Sequence, residues 1–199
     1  MKRMLFPLPL FLLPNGLTRL RIIEPKHLKM VTQSVGHIGF VIVYVENNNL
    51  SDNYEWGVLV KIVDFHWAND GFLMLDVKAD SLVTIDAVFE QQDNLQCADI
   101  SYKPVWESFE YSLLHHSEMY ELTRLLFDFY NKNSNYGELY NIRESLRNIN
   151  EERRDQSEKW LCYRWLELLP INIQVKRSLV GKRGYRQSID LLRTLILEK

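Results

Sequence analysis

The sequence has few of the features that mark a specialised class of protein. Its 199 residues include only two cysteines, Cys97 and Cys162, too few for a disulfide framework or a four-thiolate zinc site. The formal net charge is −2, so no overall positive excess marks a general polyanion binder. No run of about 18 apolar residues occurs, which argues against a membrane-spanning helix. With 46% hydrophobic and 25% charged residues, the composition predicts a folded, soluble protein, and we expect it to be cytoplasmic.

The apolar N-terminal stretch resembles a signal peptide only in part. Residues 4–13 are apolar, but Pro7 and Pro9 interrupt this run and Pro14 ends it. Because proline fixes φ and favours extended backbone, we expect an edge strand here rather than the helical region of a signal peptide.

The first half of the chain has the pattern of β-strands. Short apolar runs are separated by turn residues, and beside the N-terminal run they cover residues 39–45, 57–65, 72–77, 82–90 and 95–103. Asn69, Asp70 and Gly71 form a hairpin signal between two of these runs, and we expect Gly71 to adopt a positive φ. About six strands are therefore predicted.

One helix is predicted among these strands. Pro25 suits its first turn, Leu28, Val31 and Val35 repeat at helical spacing, and Gly36 is expected to end it. Pro25 and Gly71 are therefore interpreted as structural residues.

After about residue 105 the hydrophobic period becomes that of helices. The apolar stripes are Leu122, Leu125, Leu126 and Phe129; Leu139, Ile142, Leu146 and Ile149; Leu161, Trp165 and Leu168; and Ile189, Leu192, Leu195 and Ile196. Pro170 is expected to end the third of these helices. Asn172 is expected to cap a short helix that carries Val175 and Leu179 and closes at Gly181.

Strands followed by helices predict an α+β fold. We expect two subdomains, residues 1–105 with the strands and one helix, and residues 106–199 with the remaining helices. Short strand spacing favours a mostly antiparallel sheet that can curl into a barrel.

The sequence contains no recognisable catalytic, cofactor-binding or metal-binding motif. It has no GxGxxG, GxSxG, HExxH or CxxC pattern, and the glycines and cations of residues 181–184 lack the spacing of a phosphate-binding loop. The histidines, His27, His37, His66, His115 and His116, form no metal-ligand spacing. We therefore predict no catalytic residues, no cofactor and no metal.

Positive charge is concentrated near the C-terminus. The basic residues Lys176, Arg177, Lys182, Arg183, Arg186, Arg193 and Lys199 are accompanied locally only by Asp190 and Glu198. This segment is either a solvated helical face or a site for an anionic partner.

Several segments, taken in order, resemble the LON substrate-binding domain, the N-terminal module of ATP-dependent Lon proteases, and more closely the stand-alone bacterial LON-domain proteins. The segments are residues 5–14 (LFPLPLFLLP), 20–25 (LRIIEP), 57–65 (GVLVKIVDF), 165–170 (WLELLP) and 176–180 (KRSLV). The sequence departs from the family pattern at Lys26-His27, where Arg-Tyr is usual, and in the basic residues 181–184.

The resemblance implies a PUA-like, six-stranded β-barrel followed by an α-helical C-terminal bundle. It also implies a role in engaging protein substrates. The ATPase and Ser-Lys protease modules of Lon do not fit into 199 residues, so we expect no enzymatic activity.

Two functions are compatible with the sequence. The first is a non-enzymatic protein-recognition module that binds unfolded or partner polypeptide, for instance as an adaptor for proteolysis. The second is a nucleic-acid-binding module that uses the basic C-terminal segment, since PUA-like folds elsewhere bind RNA. For the first function, His66 and Trp67 next to the hairpin are the candidate partner-binding residues, because tryptophan is common at interface hot spots. The alternative for Trp67 is that it plugs one mouth of the barrel.

Overall fold

The structure, a computed structural model, describes residues 1–36, 38–46, 54–91, 95–106, 113–132 and 154–197. The chain divides into two compact units, Met1–Pro104 and Val105–Lys199. No helix within the described ranges is both long enough and apolar enough to cross a membrane.

The first unit is built from strands and one helix. In chain order its described elements are β1 (Lys2–Leu8), β2 (Leu17–Ile22), α1 (Pro25–Ser34), β3 (Phe40–Tyr44), β4 (Trp56–Trp67), β5 (Leu73–Glu90) and β6 (Gln96–Lys103). They form one six-stranded sheet in the order β2-β5-β4-β3-β1-β6, in which β5 also pairs with β6. The β1–β3 pairing is parallel and the other pairings are antiparallel, so the sheet is mixed. The predicted α+β class is confirmed, and the expected antiparallel arrangement only in part.

Two strands differ from the sequence prediction. Strand β5 is continuous over 18 residues, whereas the pattern predicted separate strands at 72–77 and 82–90. The polar residues that suggested a break lie inside the ladder, where Lys78 faces Lys61 and Ala79 is buried against Val60. Strand β2 was missed because only its alternate residues Leu20 and Ile22 are buried.

The position of β1 in the sheet explains why this strand tolerates proline. Strand β1 pairs with β6 over Lys2–Met4 and with β3 over Leu5–Leu8. Among the described residues, Pro7 therefore has a partner strand on one side only, which is where a missing N–H is tolerated in a sheet.

The core of the first unit is mainly aliphatic, with the rings of Phe6, Phe40 and Tyr54 also buried. One cluster of buried residues in this core consists of Leu5, Val41, Val43, Val45, Tyr54, Leu59, Val83, Ala98 and Ile100. Cys97 in β6 is also buried, as expected for a small apolar residue.

Helix α1 begins at Pro25, but its apolar stripe differs from the predicted one. The buried residues are Met30, Val31 and Ser34, whereas Leu28 and Val35 are exposed. The helix ends at Ser34, and Val35 has extended backbone angles, so it no longer follows the helical repeat. Gly36 then takes a φ of 85°.

The second unit is helical where it is described, as the sequence predicts. It contains α2 (His116–Lys132), α3 (Arg154–Leu168), α4 (Ile173–Leu179) and α5 (Tyr185–Leu192), and α5 continues into a π-helical turn at Arg193–Leu197. In α2 the buried residues are Met119, Leu122, Leu126 and Tyr130, and Phe129 is exposed. The stripe predicted at residues 139–149 lies outside the described residues.

Local signals place the helix ends in this unit. Pro170 follows the end of α3 and is exposed. The side chain of Asn172 accepts a hydrogen bond from the backbone N–H of Gln174 at 2.7 Å, which confirms the predicted cap of α4.

Candidate functional site

An apolar groove of about 570 Å³ opens on the first unit between the end of helix α1 and strand β4. The residues lining it are Val31, Val35 and Gly36 from the α1 side, residues 61–65 and Trp67 from β4, and Leu73 from β5. Val31 and Leu73 are buried and form its inner part.

The outer wall of the groove is made of exposed apolar side chains on β4. Val63, Phe65 and Trp67 are 53%, 59% and 63% exposed. Phe65 and Trp67 lie opposite the buried residues Leu75 and Leu73 of β5, so they belong to the apolar face of the sheet. Adjacent exposed apolar side chains of this size mark interaction sites in soluble proteins.

The β4–β5 hairpin fixes the backbone of Trp67. The N–H of Ala68 donates to the carbonyl of Phe72 at 2.9 Å, and the N–H of Gly71 donates to the carbonyl of Ala68 at 2.9 Å. Gly71 has a φ of 81°, in the region that favours glycine. The carboxylate of Asp70 accepts from the N–H of Phe72 at 3.2 Å. The turn therefore holds its shape through its own hydrogen bonds.

A side chain from β2 ties this turn to the sheet. Arg21 forms an ion pair with Asp70 at 2.8 Å, and its guanidinium lies 4.3 Å from the centre of the Phe72 ring. Trp67 thus stands on a supported backbone while its indole remains exposed.

The two partner-binding residues proposed from the sequence, His66 and Trp67, differ in their position relative to the groove. Trp67 lines the groove and is 63% exposed, so it does not plug one mouth of a barrel, the alternative considered from the sequence. His66 is also exposed, but neighbouring strand residues point to opposite faces, and it does not line the groove. The contributions of Phe65 and α1 were missed. The alternation of Val63, Phe65 and Trp67 before a hairpin was the available signal.

Charged groups lie at the border of the groove. Lys61 pairs with Asp80 at 2.6 Å, and both side chains are partly exposed. The carboxylate of Asp64 accepts from the backbone N–H of Phe65 at 2.8 Å. An apolar centre with a polar border is the usual arrangement of a protein-binding surface.

The side chains of His27 and Cys162 are packed inside the fold and do not form a reactive site. His27 packs against Phe6 with ring centres 4.5 Å apart, and burial lowers its pKa. Cys162 is fully buried in α3, where desolvation raises the pKa of its thiol, opposite to what a nucleophile requires. Within the described ranges, no three His, Cys, Asp or Glu side chains are grouped to hold a metal ion.

The basic C-terminal segment is less available than the sequence suggests. Lys176 is buried and donates to the carbonyl of Glu167 at 2.9 Å, and desolvation lowers its pKa. Arg193 binds the carboxylate of Glu118 at 2.7 Å and donates to the carbonyl of Leu113. The local charge count overlooked Glu118 because it is 75 residues away along the chain.

The exposed cations of this segment include Lys182, Arg183 and Arg186, while Lys199 lies outside the described residues. The basic surface that an anionic partner would meet is therefore smaller than the seven residues counted from the sequence.

Comparisons with known proteins identify the family. The chain superposes on a Lon N-terminal domain protein from Xanthomonas campestris with a TM-score of 0.62, 22% identity and coverage of 98% of each chain. It superposes on the N-terminal domain of the Mycobacterium avium complex Lon protease with a TM-score of 0.62 and 14% identity, over 98% of this chain and 97% of the other. At these identities the likeness concerns the fold. None of the curated protein sequences matches this chain. The model of the ATP-dependent protease La (LON) substrate-binding domain matches residues 2–181. The chain therefore belongs to the LON substrate-binding domain family, as its sequence resemblance indicated.

Proposed function

We propose that the first unit is a non-catalytic recognition module that binds unfolded or partner polypeptide in the groove between α1 and β4. The observation that carries this proposal is the exposure of Trp67 and Phe65 on a supported strand beside an apolar cavity. Membership of a substrate-binding domain family supports the same class of partner. The module would deliver its polypeptide to a protease in the cytoplasm.

The size of the apolar wall sets the expected strength of binding. Complete burial of one large apolar side chain is worth roughly 1.5–3 kcal/mol. Val63, Phe65 and Trp67 are each a little more than half exposed, so covering them contributes about 3 kcal/mol in total. A contribution of this size favours weak, reversible binding, which suits a module that hands its partner on.

We also propose that the sheet forms the PUA-like barrel that the family resemblance implies. The pairing of β6 with both β1 and β5 supports this, because it returns the strand order to β5. In such an arrangement the α1 side of β4 lies outside the closed part of the sheet.

Substitution of Trp67 tests the recognition role. Binding of the full chain to reduced, carboxymethylated α-lactalbumin, a permanently unfolded protein, is measured by fluorescence anisotropy. Trp67→Ala should weaken binding at least tenfold and change the free energy of unfolding by less than about 0.5 kcal/mol, because the ring is exposed. Tyr102→Ala is the matched control, since Tyr102 is a 70% exposed aromatic residue on β6 outside the groove.

Two results would contradict the proposal. Equal weakening by Trp67→Ala and Tyr102→Ala would assign binding to general surface hydrophobicity. Binding to single-stranded RNA that weakens steeply with salt, without binding to the unfolded protein, would favour the basic segment with Lys182, Arg183 and Arg186.

A further inference from the structure

One side of strand β4 is open beside the groove. Strand β3 pairs with β4 only over Val58–Val60. From Lys61 to Trp67, β4 pairs with β5 on its other side. Among the described residues, no strand pairs with the outer side of this seven-residue part of β4.

The hydrogen-bond pattern of the hairpin shows which backbone groups face that open side. The N–H of Ala68 donates to Phe72, so these two residues form a hydrogen-bonded pair. Such pairs alternate along an antiparallel ladder, and the register is continuous from Trp67 back to Asp64. His66 with Met74 is therefore the next hydrogen-bonded pair, and the N–H and C=O groups of Phe65 and Trp67 point away from β5. The N–H of Phe65 donates on that side to the exposed carboxylate of Asp64 at 2.8 Å, so a carbonyl of an added strand would take the place of this carboxylate.

The same two residues thus contribute backbone and side chain to one site. Their side chains form the outer wall of the groove, and their backbone groups form its open border. The protective features of this edge all lie before Trp67: the Lys61–Asp80 ion pair, the register shift at Val63 and the Asp64 carboxylate that accepts from the N–H of Phe65. Natural edge strands are usually shielded along their length by charges, prolines or bulges, because an unshielded edge is a template for another strand.

Hydrogen-bond complementarity identifies the occupant. A partner that covers the groove also removes water from the C=O group of Phe65 and from the N–H and C=O groups of Trp67, which is costly unless the partner bonds to them. A helix or an acyl chain offers no row of unpaired donors and acceptors at strand spacing, whereas an extended polypeptide does. Every second side chain of such a polypeptide would then point towards the apolar groove.

We propose that the edge of β4 accepts an extended polypeptide segment as an additional strand, held by backbone hydrogen bonds to Phe65 and Trp67, with alternate apolar side chains entering the groove. This inference rests on the proposed function and specifies its substrate class: extended, proline-free segments with an apolar residue at every second position. Such a site would accept many sequences, because the backbone is common to all of them.

Backbone N-methylation of the ligand is the direct test. The probe is a nine-residue peptide with three leucines at alternate positions and threonine elsewhere, methylated at one amide at a time and titrated calorimetrically into the full chain. Methylation of central amides should alternate in effect, with at least tenfold weakening at amides that face β4 and less than twofold change at the others. Tolerance at every position, or equal loss at every position, would overturn strand addition.

A substitution in β4 gives an independent measurement. Phe65→Pro removes the N–H that faces the open edge, where it donates to the exposed Asp64 carboxylate until a partner strand binds, whereas Phe65→Ala removes only the side chain. We expect Phe65→Pro to bind the peptide at least fivefold more weakly than Phe65→Ala, with melting temperatures that agree closely. His66→Pro removes an N–H bonded to β5 and should instead lower the melting temperature. Equal affinities of the two Phe65 variants would overturn the inference.

The outcomes separate this inference from the proposed function. If Trp67→Ala weakens binding while all N-methylated peptides bind normally, the groove is the site and strand addition is wrong. If Trp67→Ala has no effect either, the proposed function fails as well. A concentration-dependent dimer that Phe65→Pro dissociates, seen by sedimentation, would assign the edge to a second copy and overturn the polypeptide as its occupant.

Discussion

The two units of the chain differ in how deeply they bury charged side chains. In the first unit the ion pairs Arg19–Asp76 and Lys61–Asp80 keep some contact with solvent, and the large apolar side chains of β4 are exposed. In the second unit Glu158 and Arg164 are fully buried.

The buried charges of the second unit are engaged in its own fold. Glu158 accepts hydrogen bonds from the backbone N–H groups of Leu113 and Leu114 and from the hydroxyl of Tyr185. Arg164 donates to Glu167 at 2.8 Å. The residues that look most reactive by type are therefore structural, and the functional candidates are apolar side chains that the fold leaves uncovered.

Among the substitutions considered, removal of the buried Glu158 carboxylate should lower the stability of the fold most. Glu158→Ala leaves buried donors of Leu113, Leu114 and Tyr185 without their acceptor, so it should lower the free energy of unfolding by about 4 kcal/mol. Urea denaturation measures this. Tyr185→Phe removes one donor together with its need for a partner and should cost about 1 kcal/mol. Equal stability of Glu158→Ala and the native protein would show that the carboxylate is not structural.

Two glycines of the first unit, Gly39 and Gly71, allow the cost of backbone strain to be separated from the cost of steric overlap. Both have a positive φ, but their surroundings differ. A Cβ at Gly39 would clash with the carbonyl group of Val60, whereas a Cβ at Gly71 would meet no atom within 4 Å. We expect Gly39→Ala to destabilise by about 3 kcal/mol, from strain and overlap together. Gly71→Ala should cost about 1 kcal/mol, from its backbone conformation alone. Thermal unfolding of the two variants distinguishes the contributions, and a larger loss for Gly71→Ala would contradict this account.

The smallest expected loss of stability comes from breaking the partly exposed ion pair between Glu118 and Arg193 in the second unit. The hydrogen bond from Arg193 holds the pKa of Glu118 below its ordinary value of 4.5. A carboxylate with a lowered pKa stabilises the fold above its unfolded pKa and loses that contribution as the pH falls through its folded pKa. Glu118→Gln should therefore cost about 1 kcal/mol at pH 7, and the difference should shrink below pH 4.5.

Glu121 is the matched control on the same helix. It pairs with Arg124 at the surface, so Glu121→Gln should have a smaller effect than Glu118→Gln. A difference between native protein and Glu118→Gln that stays constant from pH 7 to pH 3 would show that the ion pair does not stabilise the fold.

Local signals in the sequence were sufficient to predict part of the fold. Proline at the start of α1, the turn with Gly71 and the cap by Asn172 act over a few residues, so they could be recognised without the rest of the chain. The change from strand to helix periodicity likewise predicted the α+β class. The order of several weak motifs was enough to indicate the family.

Only the tertiary structure decided which residues are available for function. The exposure of Trp67 depends on α1, which lies across the groove from β4 and leaves its side chains uncovered, and the open edge depends on β3 ending its pairing at Val60. The pairing of Arg193 with Glu118 likewise joins residues far apart in the chain. Sequence patterns report what each segment prefers by itself. Burial, edge pairing and distant ion pairs are properties of the neighbours that folding brings to it.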